Sequence, residues 1–233
     1  MTPSVLITGA SRGFGRELLE VFAEREWTTY PLVRDADAAA RLGASLGARC
    51  HPIVADVTSD DVGRAIAEEL GRHTRSLDLL VNNAGTIRKA YGLADTIPAD
   101  LQAAFEVHCA GALRCVQAAL PFLRTSARPL VVDITSRWGS VAGALTGRSG
   151  VVAYQIAKAA QNMLSACLDR ELRPQGIRVF AVHPGKLLTG VAAVDADVPP
   201  RAAAVRFADW VASVDRDAPC GIHDLMGGDL IPW

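Results

Sequence analysis

The sequence predicts an α/β fold in which a doubly wound parallel sheet of about seven strands has helices on both faces. Two observations support this prediction. Short apolar runs alternate with helical patterns along the chain, as in successive β-α-β units. The run at residues 77–81 is almost wholly apolar, as expected for a strand that helices cover on both sides. The length of 233 residues fits a single domain, which we assign to residues 1–233.

The first half of the chain contains four predicted strands. A strand at residues 5–7 leads into a helix, since Leu18, Leu19 and Phe22 recur at helical spacing. A second strand is expected at 28–33 and a third at 50–54. Thr58 or Ser59 can cap a helix that continues to residue 70, and the fourth strand occupies 77–81.

The second half continues the alternation. A long helix is predicted from Pro98 to about Pro121, a fifth strand at 130–134, and a helix from about 154 to 172 that Pro174 and Gly176 end. A sixth strand at 177–182 and a helix around 202–214 precede the closing segment 221–233. Residues 137–153 contain several glycines and are predicted to lack a regular helix, and with 186–200 they are expected to wall a pocket.

Composition excludes several classes of protein. Half of the residues are apolar, 21% are charged and the net charge is -1, without a lysine or arginine block, so we expect no nucleic-acid partner. No apolar run approaches 18 residues and no leader pattern is present, so we expect no membrane partner and a cytoplasmic location. The five cysteines form no CxxC pair and no histidine stands at metal-ligand spacing, so no metal site is predicted.

A glycine-rich loop lies between the first strand and the first helix. Glycine permits positive φ and close approach of the backbone to a ligand, and free amides at a helix start attract phosphate. This context is typical of dinucleotide binding, although the glycine spacing differs from GxGxxG. The candidate cofactor-binding residues here are Thr8, Gly9, Ser11, Arg12, Gly13, Phe14 and Gly15.

The end of the second strand bears on which nicotinamide nucleotide is used. Arg34 together with Arg12 can bind a 2′-phosphate, which favours NADPH. Asp35 follows directly, and an acidic residue there would suit the ribose hydroxyls of NADH, so both cofactors stay open with NADP(H) preferred.

Tyr154 and Lys158 are four residues apart, so a helix places both on one face. A nearby ammonium favours the phenolate, and we expect it to lower the pKa of the phenol. Ser136 follows the fifth strand, where its hydroxyl can bind a substrate carbonyl. Taken alone, the pair could also be ordinary helix residues and Ser136 an ordinary turn residue.

Taken in order, residues 8–15, residues 82–85, Ser136, Tyr154 with Lys158, and Pro184 with Gly185 resemble the short-chain dehydrogenase/reductase family. The resemblance covers essentially the whole chain and is strongest to the carbonyl reductases of the Sniffer and C-factor type. It implies a Rossmann-type fold and a catalytic role for Ser136, Tyr154 and Lys158. Further residues implied in cofactor binding, besides the glycine loop, Arg34, Tyr154 and Lys158, are Asp56, Val57, Asn82, Asn83, Ala84, Gly85, Pro184, Gly185, Leu187 and Thr189.

One position departs from the family pattern. Members usually have a catalytic asparagine three residues before the glycine that corresponds to Gly111, and here that position is His108. An imidazole can donate and accept hydrogen bonds and titrates near neutrality, so His108 can relay protons with an added pH dependence. The alternative is that His108 only packs.

The resemblance implies an NADPH-dependent oxidoreductase that reduces an aldehyde or ketone to an alcohol, or works in reverse, with Tyr154 as the general acid. Two alternatives stay open: an NADP-binding signalling protein with impaired catalysis, and a biosynthetic tailoring ketoreductase. Similar proteins pair the long helix at 98–121 and the Tyr154 helix into a homodimer, with a tetramer also possible.

Overall fold

The computed structural model describes residues 2–88, 93–145, 151–190 and 196–233. Residues 146–150 and 191–195, which belong to the two predicted pocket walls, lie outside the described residues. Eight strands within the described ranges form one sheet in the order β3-β2-β1-β4-β5-β6-β7-β8. They are β1 (Ser4–Thr8), β2 (Thr28–Val33), β3 (Ile53–Val54), β4 (Leu79–Asn82), β5 (Leu130–Ile134), β6 (Arg178–His183), β7 (Ile222–Asp224) and β8 (Leu230–Ile231).

The strands are parallel except for the short β8, which pairs antiparallel with β7. The helices between them are α1 (Gly13–Glu24), α2 (Ala36–Leu46), α3 (Val62–His73), α4 (Pro98–Phe105), α5 (Gly111–Leu123), α6 (Val141–Ala144), α7 (Val152–Leu172) and α8 (Pro200–Ser213). The predicted doubly wound parallel sheet is therefore confirmed. The assignment of residues 1–233 to a single domain stays a prediction.

Helices cover both faces of the sheet because alternate strand residues are apolar on both sides. On one face, Val5 and Ile7 of β1 belong to a core with α1, α2 and α8. On the other face, Leu6 belongs to a core with α3, α5 and α7. All five residues of β1 are buried, which explains why its centre at residues 5–7 is wholly apolar.

The strand order reverses beside β1. The chain runs outward from β1 through β2 to β3 and then returns to place β4 on the other side of β1, with Ile7 opposite Val81. The loops that leave β1 and β4 therefore diverge and open a crevice at the carboxyl edge of the sheet, where ligands bind in folds of this kind.

Several sequence predictions are wrong in detail. Helix α2 was not predicted, although Asp35 caps it by accepting a hydrogen bond from the Ala38 amide at 2.6 Å and Gly47 with φ of 76° follows it. Its alanine-rich sequence gives little apolar periodicity. Helix α3 begins at Val62 without a side-chain cap, so neither Thr58 nor Ser59 has the predicted role. Strand β3 is limited to two residues, preceded by an isolated bridge between Thr29 and Cys50.

Two further differences concern the crevice. The predicted helix from Pro98 contains a π-helical turn at Glu106–Ala110 between α4 and α5. Residues 137–145, predicted to lack a regular helix, contain a 3-10 turn at Arg137–Gly139 and the short α6, because Ser136 and Ser140 cap them through their hydroxyls. Within the described ranges, no helix combines the length and the apolar character that a membrane crossing requires.

The packing of α8 against α1 generates a stability prediction. Phe207 is fully buried and contacts Phe14 and Phe22 edge-on, with ring centroids 6.3 Å apart in both pairs. We expect Phe207→Ala to lower the free energy of unfolding by about 3–5 kcal/mol, because it leaves a cavity between the helices. Urea unfolding measures this, and Val205→Ala on the exposed side of α8 should cost less than about 1 kcal/mol. Equal costs for the two variants would contradict the prediction.

Candidate active site

The glycine loop after β1 needs glycine at two positions because neighbouring atoms leave no room for a side chain. At Gly9, where φ is +67°, a Cβ would lie 2.8 Å from Ala84 Cα. At Gly15, a Cβ would lie 2.4 Å from Asn83 Nδ2 and 2.5 Å from Gly9 O. The loop is thus folded tightly onto the chain that leaves β4.

Thr8 and Asn83 join the ends of β1 and β4. The Thr8 hydroxyl accepts hydrogen bonds from the amides of Asn83 at 3.0 Å and Ala84 at 2.9 Å. The Asn83 side-chain amide donates to Thr8 O at 2.9 Å and to Gly9 O at 3.3 Å. Since backbone groups without a partner are costly to bury, these bonds fix both loops at the edge of the crevice.

The rim of the glycine loop faces the loop after β6. Ser11, Arg12 and Gly13 are exposed, and the Arg12 side chain makes no capping bond at the start of α1. Thr189 lies across the crevice, with its Cγ2 3.8 Å from where a Cβ on Gly13 would be. Phe14 differs from its neighbours because its side chain is buried in the core, so only its backbone can contact a ligand. The first amides of α1 and the exposed loop before them form a cradle suited to an anion.

The loop after β6 places the other predicted residues. Gly185 has φ of +99°, and a Cβ there would lie 2.7 Å from Met226 Cγ. Pro184 is buried, and Leu187 packs against the core while Thr189 N donates to its carbonyl oxygen at 2.9 Å. The backbone of this turn and the Thr189 side chain therefore border the crevice.

Arg34 and Asp56 lie together where β2 and β3 end. Arg34 Nη1 is 3.7 Å from Asp56 Oδ2, and the Arg34 side chain is 74% exposed. Burial raises the pKa of Asp56, but hydrogen bonds from Thr58 and the charge of Arg34 outweigh this effect and hold it below its usual value. Asp35 points away as the cap of α2. Val57 is buried and packs against Gly111, where a Cβ would be 3.0 Å from its side chain.

Tyr154, Lys158 and Ser136 are brought together at the floor of the crevice. Lys158 Nζ lies 5.6 Å from the centre of the Tyr154 ring, so the helical spacing places both on the same side of α7. The Ser136 hydroxyl lies close enough to the Tyr154 phenol to act against the rise in its pKa, and it accepts a hydrogen bond from Trp138 N at 3.2 Å. A phenol and a hydroxyl are thus adjacent at the end of β5.

Proton affinities in this site differ from the sequence expectation. Burial raises the pKa of Tyr154 to about 12, and the hydrogen bond with Ser136 only partly opposes it. Burial also lowers the pKa of Lys158 to about 7, against the charge of Asp133, which raises it. The prediction that Lys158 lowers the pKa of the phenol is therefore wrong for this structure. Its Nζ donates instead to Ile134 O at 2.7 Å and to Gln161 Oε1 at 2.8 Å.

A buried polar network lies beneath Lys158 and was not predicted. Asp133 is fully buried, accepts from Asn82 Nδ2 at 2.8 Å and from the Ser165 hydroxyl at 2.6 Å, and its pKa is raised by burial. Ser165 also bonds the carbonyl oxygen of Gln161, whose side chain accepts from Lys158. The sequence signal was an acidic residue within the apolar run 130–134.

His108 lies in the π-helical turn, beside Tyr154. The two rings are 5.5 Å apart and nearly perpendicular. His108 Nε2 is 2.9 Å from Thr86 O, and Nδ1 has no hydrogen-bond partner among the described residues. Burial and the charge of Lys158 lower its pKa to about 3. The expected titration near neutrality is therefore wrong, because the ring is held neutral.

Comparison with known proteins gives one family model and several relatives. A family model described as short chain dehydrogenase matches residues 3–197. The rhamnolipids biosynthesis 3-oxoacyl-(acyl-carrier-protein) reductase of Pseudomonas aeruginosa is 34% identical over 185 residues, which cover 78% of this chain and 71% of that protein. The C-signal protein of Myxococcus xanthus is 38% identical over 126 residues, which cover 54% of this chain and 75% of that protein.

Solved structures show the same fold. The NADPH-bound carbonyl reductase from chicken fatty liver gives a TM-score of 0.90 at 25% identity, covering 100% of this chain and 99% of that one. The Pseudomonas aeruginosa RhlG/NADP active-site complex gives 0.84 at 26% identity, covering 95% and 94%. Carbonyl reductase Sniffer of D. melanogaster gives 0.89 at 22% identity, covering 100% of both chains, which shows likeness of fold alone.

The neutral state of His108 generates a prediction about stability and pH. The unfolded chain binds a proton at this histidine below pH 6.5, whereas the folded chain does so only near pH 3, so stability falls as the pH falls through this window. As the pH falls from 6.5 to about 4, the free energy of unfolding should decrease. We expect this decrease to be about 3 kcal/mol smaller in His108→Asn than in the unmodified protein.

Urea unfolding at a series of pH values measures this difference. His183, whose pKa burial lowers to about 4, contributes in the same direction to both proteins and cancels in the comparison. Parallel pH curves for the two proteins would contradict a neutral buried His108.

Proposed function

The chain belongs to the short chain dehydrogenase family, as its motifs predicted, and we propose that it is an NADP(H)-dependent oxidoreductase that reduces an aldehyde or ketone to an alcohol, or catalyses the reverse reaction. The observation that supports this proposal best is the grouping of Ser136, Tyr154 and Lys158 at the carboxyl edge of the sheet, opposite the glycine loop.

The residues present suit a dinucleotide. The tight turn at Gly9 and Gly15 and the uncapped start of α1 would hold the phosphates, and the turn from Pro184 to Thr189 would border the nicotinamide. Asn83 and Ala84 would line the same side, with Val57 near the base. When bound, the reduced nicotinamide supplies a hydride to the carbonyl carbon.

The side chains of the site supply the proton and hold the oxygen. Reduction of a carbonyl generates an alkoxide that needs a donor already in place. Ser136 would donate a hydrogen bond to that oxygen, and Tyr154 would protonate it. Because the pKa of Tyr154 is about 12, the phenol is protonated at neutral pH, as an acid must be. Lys158 would add positive charge beside the developing alkoxide, and we propose that His108 acts as a neutral hydrogen-bonding group.

The preference for NADP(H) rests on the end of β2. The Arg34 guanidinium is exposed there and Arg12 lies on the glycine loop, so two cations are available for a 2′-phosphate. Asp35, which left NADH open in the sequence, is engaged as the cap of α2. Two of the similar structures are complexes with NADPH or NADP. Asp56 borders the same region, where its contact with Arg34 would yield to a phosphate.

The similar proteins point to two classes of substrate. A carbonyl reductase among the similar structures favours free aldehydes and ketones. The similarity to a 3-oxoacyl reductase of rhamnolipid biosynthesis favours a tailoring ketoreductase that acts on an acyl thioester. Both substrates present a carbonyl group to the same three residues, and we place the small carbonyl compound first.

A second candidate function is signalling with impaired catalysis. The similarity to the C-signal protein of Myxococcus xanthus is the observation in its favour. It predicts a biological activity that does not need the Tyr154 hydroxyl, whereas the reductase needs it.

Assembly and location remain proposals. Phe105 on α4 and Ile156 and Met163 on α7 are exposed apolar residues on two helices that pack against each other. We propose that these helices pair two copies into a homodimer, which light scattering would reveal. The cytoplasmic location expected from the sequence likewise stays a prediction.

The reductase proposal predicts that Tyr154→Phe loses activity. Removal of the general acid should lower kcat/KM by about 10²- to 10⁴-fold. NADPH consumption is measured with an aromatic aldehyde, an aliphatic ketone and a 3-oxoacyl thioester, and the best substrate is then used for both proteins.

The control for this variant is NADPH affinity, followed by fluorescence titration. Affinity should change little, since the ring and its packing remain. If the unmodified protein consumes no NADPH with any of the three substrates, or if Tyr154→Phe keeps full activity, the reductase proposal is wrong.

The cofactor proposal predicts a loss of NADPH preference in Arg34→Asp. The variant removes a charge-assisted bond to the 2′-phosphate and adds a repulsive carboxylate, so the ratio of kcat/KM for NADPH over NADH should fall about 10- to 100-fold. Arg49→Asp makes the same charge change near the opposite edge of the sheet and should leave the ratio as it was. An unchanged ratio in Arg34→Asp would remove the argument for NADPH.

A further inference from the structure

A group of three side chains that can bind a metal lies far from the crevice. His51 lies two residues before β3, and Glu69 and His73 occupy the last two turns of α3. Since β3 is parallel to β1, its start lies at the amino edge of the sheet, whereas the glycine loop and Ser136 lie at the carboxyl edge. The proposed reaction therefore makes no use of this group.

The geometry of the group is close to that of a metal site. Within the described residues, one potential ligand atom from each of the three side chains lies within 4.8 Å of the other two. His73 Nε2 is already 3.1 Å from Glu69 Oε1. Ligand atoms around a tetrahedral Zn²⁺ are separated by about 3.4 Å, given bonds of about 2.1 Å. His73 is exposed, and its ring would have to turn out of the stack on His51 before both imidazoles could bind one ion.

The backbone makes this arrangement persistent. Glu69 and His73 are four residues apart and lie on one face of α3. His51 is anchored to the sheet, because its amide donates to Thr29 O at 2.8 Å. The imidazole rings of His51 and His73 are stacked with centroids 3.7 Å apart. Two histidines held this closely repel each other once both are protonated. Burial and the charge of His73 both lower the pKa of His51.

An unsatisfied polar atom points to a missing partner at the same place. Tyr30 of β2 is fully buried, its ring is 5.4 Å from that of His51, and its hydroxyl has no hydrogen-bond partner among the described residues. The charge of Glu69 acts on the same phenol, whose pKa burial raises to about 12. A buried hydroxyl without a partner is costly, and one that donates to a ligating carboxylate or to a metal-bound water is common around metal sites.

We propose that His51, Glu69 and His73 bind a divalent transition metal, with Zn²⁺ as the best candidate and water in the fourth position. Two imidazoles and one carboxylate suit Zn²⁺, Ni²⁺ or Cu²⁺ better than the oxygen-seeking Ca²⁺ and Mg²⁺. The site was not predicted from the sequence because His51 lies outside α3. The separation of His51 and Glu69 in the chain does not match a regular spacing of metal ligands.

The metal would tie the end of α3 to the sheet. Helix α3 packs on β3 and α5, and its last turn carries Glu69 and His73. A bond from each of them to the same ion as His51 would hold this turn against the start of β3. The site is remote from Tyr154, so its effect is on stability and not on the chemical step.

Thermal unfolding with ZnCl₂ or NiCl₂ tests this proposal. At about a hundredfold excess over Kd, binding to the folded state should raise Tm by about 5–10 °C. Isothermal titration should give one ion per chain. In His51→Gln and in His73→Gln the affinity should fall at least about tenfold, as expected for loss of a ligand.

Matched variants separate this site from other metal ligands. Arg72→Gln removes the cation that competes for Glu69, bonded at 2.6 Å, and should leave metal binding intact or strengthen it. Cys167→Ser removes the exposed thiol and should change nothing. If both histidine variants fold and bind the metal as the unmodified protein does, or if Cys167→Ser abolishes binding, the proposal is wrong. Reductase activity is measured separately and does not enter this test.

Discussion

The structure depends most on the hydrogen bonds that join Thr8 to Asn83 and Ala84. Strand order reverses between β1 and β4, so two loops leave the sheet side by side with backbone amides that have no strand partner. The Thr8 hydroxyl accepts both amides, and the Asn83 side chain returns bonds to the carbonyl oxygens of Thr8 and Gly9. This closeness excludes any side chain at Gly9 and Gly15. The cradle therefore lacks side chains at these two glycines because the β1 and β4 loops are joined tightly where the strand order reverses.

Burial decides the charge state of the site. It raises the pKa of Tyr154 to about 12, lowers that of Lys158 to about 7 and lowers that of His108 to about 3, so each change favours the neutral form. Asp133 is subject to the same effect, and Asn82 and Ser165 compensate by hydrogen bonding its oxygens. In such a weakly polar floor, a negative charge that develops on a substrate oxygen interacts strongly with any positive charge of Lys158 and with donor hydroxyls.

The sequence predicted what periodicity and local chemistry determine. The parallel sheet and the positions of β1 to β6 follow from apolar runs, whereas β7 and β8 were not predicted. The grouping of Ser136, Tyr154 and Lys158 was implied by the order of the family motifs. Helix α2 was not predicted because an alanine-rich segment shows little periodicity of apolar residues, although Asp35 and Gly47 marked its ends. The π-helical turn could not be foreseen, since one added residue per turn barely alters an apolar pattern. The Asp133 network and the His51 group join residues distant in the chain, which no local spacing reveals.

The error in the Tyr154 prediction shows why spacing does not predict proton affinity. To lower a phenol pKa by three units requires about 4 kcal/mol. A full charge 5.6 Å from the ring supplies about 3 kcal/mol at an effective dielectric constant of 20, before any cost of burial is subtracted. The charge of Lys158 is itself disfavoured, because burial lowers the pKa of this lysine to about 7. The attraction is therefore too small to overcome desolvation of the phenolate. It follows that Tyr154 is protonated in this site at neutral pH, the state that a proton donor to an alkoxide requires.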